Sequence, residues 1–151
     1  MINSAIKISL FTLVLATSTN KASAQIVTTK ELDDGWHRVH LEGGMFYDGE
    51  IIEGKMDGKG ALTWPDSSVY SGVFKASMRH GKGTMKWKNG NIYMGHFKMD
   101  EMNGSGTFVF SDGHKYAGHF KGGEFHGSGK LIYPDGKVEK GKWVNGTRLD
   151  K

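Results

Sequence analysis

The sequence predicts an all-β protein: one elongated antiparallel sheet of about ten strands, built from tandem 23-residue β-hairpins. Three observations predict it. First, glycines recur without a gap. Gly49, Gly72, Gly95, Gly118 and Gly141 share one register, Gly58, Gly81, Gly104 and Gly127 a second, and Gly60, Gly83, Gly106 and Gly129 a third. A fixed period of this size marks a repeat architecture. Second, Tyr70, Gly72 and Phe74 alternate with Ser71, Val73 and Lys75, and Gly83, Met85 and Trp87 with Thr84 and Lys86, the period of a strand. Third, Lys88-Asn89-Gly90 stands between two such runs, matched by Pro65-Asp66-Ser67, Ser111-Asp112-Gly113 and Pro134-Asp135-Gly136. Proline presets the first turn position, Asp or Asn suits the second and glycine takes the left-handed third, which describes a three-residue hairpin with a bulge.

In chain order, Met1 to Ala24 is of a different kind. Lys7 closes a short basic region, Ile8 to Ala16 is an uncharged apolar run, and Ala22-Ser23-Ala24 is a small-residue cleavage pattern. Residues 1–24 are therefore expected to be a secretory signal peptide, and the chain periplasmic or extracellular. A membrane anchor is the rival reading, but a span takes about 20 apolar residues and this run has about half that. The chain has no cysteine, so neither a lipidated cysteine nor a disulfide is available.

Residues 25–46 form a lead-in. Within it Gly35, Val39 and Leu41 sit one period before Gly58, Leu62 and Trp64, so Trp36 to Leu41 is expected to be the second strand of a degenerate leading copy. Four full repeats follow at 47–69, 70–92, 93–115 and 116–138, then a truncated capping copy at 139–151. Val138 to Val144 alternates charge with bulk, which suits an end strand. The loop length sets Met85 opposite Tyr93 and Gly83 opposite Gly95, so Met85, Trp87, Tyr93 and Phe97 share one face. Gly60 and Gly72, Gly106 and Gly118, and Gly129 and Gly141 face one another in the same way, leaving a groove that flanking rings can cover. At about 4.8 Å per strand the meander would extend about 45 Å.

These residues resemble the MORN repeat. Tyr70-Ser71-Gly72-Val73-Phe74, then His80-Gly81-Lys82-Gly83, an aromatic and an Asn-Gly or Asp-Gly turn follow that family's pattern. Tyr47, Tyr70, Tyr93 and Tyr116 open the units, and Trp64, Trp87, Phe110 and Tyr133 close their second strands. Ile51 departs from the pattern, as do Asp57 and Asn103 in place of the histidine and Glu139 in place of the last tyrosine. The resemblance implies an interaction module for protein scaffolding or self-association, with anionic phospholipid contact attached to the family. No catalytic domain accompanies the repeats here.

Two surfaces are candidate sites. The aromatic face, Tyr47, Trp64, Tyr70, Phe74, Trp87, Tyr93, Phe97, Phe110, Tyr116, Phe120 and Tyr133, has no partner layer within the sequence. Its rings either pack on one another or leave area for a protein partner or a second copy of the chain. The second surface is basic. Loss of Lys7 and Lys21 with the leader leaves 18 cations against 16 anions, yet Ser67 to Met99 holds Lys75, Arg79, Lys82, Lys86, Lys88 and Lys98 and no carboxylate. This stretch reads either as a solvated face or as a site for an anionic surface, lipid headgroup, polyanionic glycan or acidic partner. Nucleic acid is not an expected partner of an exported chain.

No reaction is visible. The sequence lacks a cysteine nucleophile, a Walker-type loop and kinase motifs. His80 and His126 are read as residues of the repeat's own turn. His96 and His119, one unit apart, would stand about 9.6 Å from each other, too far for one zinc with ligands at about 2.1 Å. No metal or cofactor is expected. A glycan-binding role resembles wall-binding hairpin repeats, but the longer period and the lack of adjacent paired aromatics set this chain apart.

Overall fold

The computed structural model describes residues 32–149, so the expected leader and residues 25–31 lie outside the described part. The strands are β1 Gly35–His40, β2 Phe46–Ile52, β3 Lys55–Thr63, β4 Val69–Lys75, β5 Met78–Lys86, β6 Ile92–Lys98, β7 Glu101–Val109, β8 Lys115–Lys121, β9 Glu124–Ile132, β10 Val138–Val144 and β11 Thr147–Arg148, with one 3-10 turn at Glu42–Gly44. They form a single antiparallel sheet in sequence order, a meander with eleven strands where about ten are expected from sequence. The extra strand is the two-residue β11, too short to show an alternation. It turns back at Asn145 and Gly146, which both take positive φ.

Two kinds of turn alternate along the sheet. The three-residue loops are as expected: Trp87 N–H donates to Asn91 O at 2.9 Å and Gly90 N–H to Trp87 O at 3.0 Å. Gly90, Gly113 and Gly136 take φ near +90°, and Ser67 takes the same left-handed place at +71°. The other connections are two-residue turns, Glu53-Gly54, Ala76-Ser77, Met99-Asp100 and Gly122-Gly123, with positive φ at both positions. That geometry matches the twist of the flanking strands.

The histidine-glycine pair is therefore not in a turn, contrary to expectation. His80 and His126, with Asp57 and Asn103, lie inside the second strands of their hairpins. Gly72 pairs with Gly83 but Val73 pairs with His80, so Gly81 and Lys82 bulge out, and Gly81 takes φ +60°. The same two-residue shift recurs at the equivalent seams between β2 and β3, β6 and β7, and β8 and β9. A bulge re-aims the strand and strengthens its twist.

This register completes the glycine groove. The facing pairs expected across each three-residue loop are present, and the two strands within each repeat add Gly49 to Gly60, Gly72 to Gly83, Gly95 to Gly106 and Gly118 to Gly129. One unbroken row of glycines from Gly49 to Gly141 crosses the sheet. Over it lie Tyr47, Tyr70, Tyr93 and Tyr116, all fully buried, each ring covering the glycine of its own strand and of the next. Their hydroxyls donate to the carbonyls of Glu50, Val73 and His96 at 2.9 Å and of His119 at 3.1 Å.

Between successive tyrosines stand Phe74, Phe97 and Phe120 in edge-to-face contact. The chain of rings runs Tyr47–Phe74 5.2 Å, Phe74–Tyr70 5.0 Å, Tyr70–Phe97 5.0 Å, Phe97–Tyr93 5.1 Å, Tyr93–Phe120 4.8 Å, Phe120–Tyr116 5.3 Å and Tyr116–Trp143 5.1 Å. Each such pair adds about 0.5 to 1.5 kcal/mol beyond its buried area. The sheet thus carries its core as one layer of interlocked rings.

Candidate interaction surfaces

The structure divides the aromatic candidates into two rows. Tyr47, Tyr70, Phe74, Tyr93, Phe97, Tyr116 and Phe120 are at most 3% exposed and pack on one another. These seven are corrected from candidate contacts to core: a ring pressed onto the glycine row has no area left to offer. Trp64, Trp87, Phe110 and Tyr133 form an outer row, one per repeat, each just past the end of its strand at the base of a three-residue loop. They remain partly exposed.

Sequence reasoning missed two members of this region. Phe108 stands 5.4 Å from Trp87 and 4.8 Å from Phe110, and Phe125 lies 6.1 Å from Phe110 and stacks on Tyr116 at 3.9 Å. Both are only partly buried. Alternation would have found Phe108, two residues before Phe110 on the same face. The 23-residue offset would have found Phe125, which stands in a column with Met56, Arg79 and Met102.

That column also corrects Arg79 as an anion-binding candidate. It pairs with Phe74 on the aromatic face, where its three equivalents are apolar. Its Nε lies 3.1 Å from Asp100 Oδ1, and Nη2 donates to Asp100 O at 2.8 Å. Its guanidinium carbon lies 5.4 Å from the Phe97 ring and 5.9 Å from those of Trp64 and Tyr70. Asp100, the residue just past the acid-free stretch, is what neutralises it. Arg79 seals the ring layer and is not available to an external anion.

The remaining cations fall elsewhere. Lys75, Lys82, Lys86 and Lys98 alternate with the core positions of β4, β5 and β6, so they emerge together on the opposite face, and all four are exposed. Lys88 sits on a loop, where its N–H donates to Ser68 Oγ at 3.1 Å. The Asp66 carboxyl beside it titrates below the usual range because Ser68 donates to it, with a smaller contribution from Lys88.

Burial pushes the Tyr70 and Tyr93 hydroxyls up to about 12, and it raises Tyr47 and Tyr116 in the same direction. Each of these hydroxyls is spent on a backbone carbonyl of its own strand. His96 and His119 are exposed on the face opposite the rings. Among the described residues no group of three or more potential ligands is arranged to hold a metal, and no helix is long and apolar enough to cross a membrane.

Comparison with known proteins locates the chain. No curated protein matches it. Among solved structures, the TCP domain of SAS-4 (dCPAP) of Drosophila melanogaster, in complex with a proline rich motif of Ana2 (dSTIL), is similar with 13% identity and a TM-score of 0.46. The match covers 70% of this chain and 58% of that one. The family model of the MORN repeat matches residues 47–69, 70–92, 93–115 and 116–138. Its members are a non-catalytic repeat family, generally modules for protein or membrane interaction. Four consecutive matches on the hairpins described above show that this chain belongs to the MORN repeat family.

Proposed function

We propose that the chain is an exported, non-catalytic scaffold that binds a protein partner or a second copy of itself through the outer aromatic row. The observation that carries this reading is the single ring layer: among the described residues no second layer covers it, and Trp64, Trp87, Phe108, Phe110 and Phe125 stay partly exposed. Aromatic rings at the centre of a surface are the usual anchors of protein interfaces. Export rests on the leader expected at residues 1–24 and places the partner in the periplasm or outside the cell.

Light scattering across a concentration series tests self-association. A dimer that Trp87→Ser together with Phe110→Ser weakens about tenfold or more, with melting little changed, supports the outer row. A chain that stays monomeric at high concentration counts against a second copy as the occupant. A second reading is favoured by Lys75, Lys82, Lys86 and Lys98 standing together on the other face: peripheral binding to anionic phospholipid. It predicts liposome binding that falls steeply as salt is raised, and salt-insensitive binding would sink it.

A further inference from the structure

The face opposite the rings carries a built feature that neither surface above includes. At the start of the sheet the Asp48 carboxylate holds two side chains at once. Trp36 Nε1 donates to Oδ1 at 2.5 Å, and Arg38 Nε donates to Oδ2 at 2.6 Å. Trp36 and Arg38 both belong to β1, and Asp48 pairs with Arg38 across β2. The indole is nevertheless 60% exposed and the Arg38 side chain 76%. An exposed tryptophan tethered by its Nε1 to a carboxylate is a positioned plate.

The plate borders a shallow open groove of about 760 Å³ that runs across β1 to β5, with Lys59 and Lys82 on its walls and Gly60, Ala61, Ser71 and Gly72 beneath. Two more carboxylates stand at this end of the sheet, Asp57, which accepts the Ala76 N–H at 3.0 Å, and Glu50. Glu50 is folded over the Gly58 bulge, and its Oε1 accepts the Lys59 N–H at 3.1 Å. Glu50 is thus folded away, Asp48 lines the groove with its charge met by Arg38, and Lys59 and Lys82 add two further cations.

We propose that this groove binds an acidic saccharide, with a pyranose ring lying on Trp36 and its carboxylate held by Arg38, Lys59 and Lys82. A guanidinium suits a planar carboxylate because its donors form a fixed fork. Inorganic anions would use the cations and leave the indole idle. An uncharged sugar would use the indole and leave Lys59 and Lys82 idle. The groove is open at the surface, as a site for an internal stretch of a polymer must be, and access to such polymers rests on the export proposed above.

Calorimetry on the whole chain decides the matter, with a uronic-acid oligosaccharide as probe. An uncharged glucan of equal length, a nucleotide and phosphatidylglycerol vesicles serve as comparisons. The expected result is binding of the uronate oligomer that weakens about tenfold or more in Trp36→Ala and in Lys59→Ala with Lys82→Ala. Trp36→Phe retains most of it because the plate survives, and melting is unchanged in all three. Absence of uronate binding overturns the proposal. So does binding indifferent to Trp36→Ala, equal binding of the uncharged glucan, or preferential binding of nucleotide or vesicles.

Discussion

The interior repeats and the C-terminal copy face the same packing requirement and meet it differently. In the interior a buried tyrosine spans two glycines of adjacent strands. At the C-terminal end Glu139 stands where the tyrosine would be, and Arg148 reaches back from β11 to cover Gly141. Its Nη1 lies 2.7 Å from Glu139 Oε2, and Nη2 donates to Lys140 O at 2.8 Å. Trp143, only 5% exposed, closes the chain of rings against Tyr116. The glycine row must be covered everywhere. What differs is whether the cover is a rigid ring with no room to move or a flexible side chain one-third exposed.

The largest expected consequence appears in alkali, because only the interior cover ionises. Tyr70 and Tyr93 have folded pKa values of about 12, above the value of about 10 in an unfolded chain. Their stabilisation is complete below about pH 10 and is lost as the pH rises towards 12. Each withdraws about 1.4 kcal/mol per pH unit in that window. Denaturation midpoints followed with tyrosinate absorbance check this, and a flat profile between pH 10 and 12 would contradict the burial.

Next in size is a contrast of glycines. A Cβ added at Gly72 meets Gly83 Cα and Tyr70 Oη at 2.6 Å and Lys82 O at 2.7 Å. Two of the three are backbone, so Gly72→Ala is expected to cost about 3 kcal/mol. At Gly141 the first obstacle is Arg148 Nε at 2.7 Å, the end of a side chain that can swing away. Gly141→Ala is expected to cost less than about 1 kcal/mol. Equal shifts in urea midpoint for the two variants would break the comparison.

Smaller effects sharpen it. Tyr93→Phe keeps the ring over Gly95 and Gly106 but orphans the His96 carbonyl, for a loss of about 1 to 2 kcal/mol in thermal unfolding. Arg148→Ala is expected to leave global melting almost unchanged and to speed amide exchange in β10 by about tenfold while β5 and β6 keep their protection, since neighbour-only contacts localise the damage. Accelerated exchange throughout the sheet would mean that the end cap supports the whole array.

Much of the fold is legible in the residues. The three-residue loops fix the pairing of Met85 with Tyr93 because Asn89-Gly90 and its equivalents accept only a narrow set of turn geometries. The leading strand is legible as well: Val39 pairs with Tyr47 as Leu62 pairs with Tyr70, although His37 stands where the repeat has glycine. The bulge was hidden because His80-Gly81 reads equally well as a turn, and only the pairing of Val73 with His80 on the far side distinguishes the two. Arg79 was misplaced because it was read beside a turn; the two-residue shift keeps the alternation, so Arg79 falls on the side of Gly83 and Met85. The register that pairs Val39 with Tyr47 also sets Arg38 opposite Asp48, but that the Asp48 carboxylate bonds Arg38 and draws in Trp36 emerges only from the side-chain placement in the structure.

By itself, then, the sequence determined the repeat, its period, the meander and the identity of the rings, because each depends on local turn chemistry and on alternation within one strand. Only the tertiary structure decided which rings are core and which are surface, and which face each cation takes. Those depend on how the two strands of each repeat pair. The two-residue bulge between the two strands of each repeat extends the glycine pairs of the loops into one row, lets each tyrosine lie down over two of them, and leaves the outer rings standing at the edge.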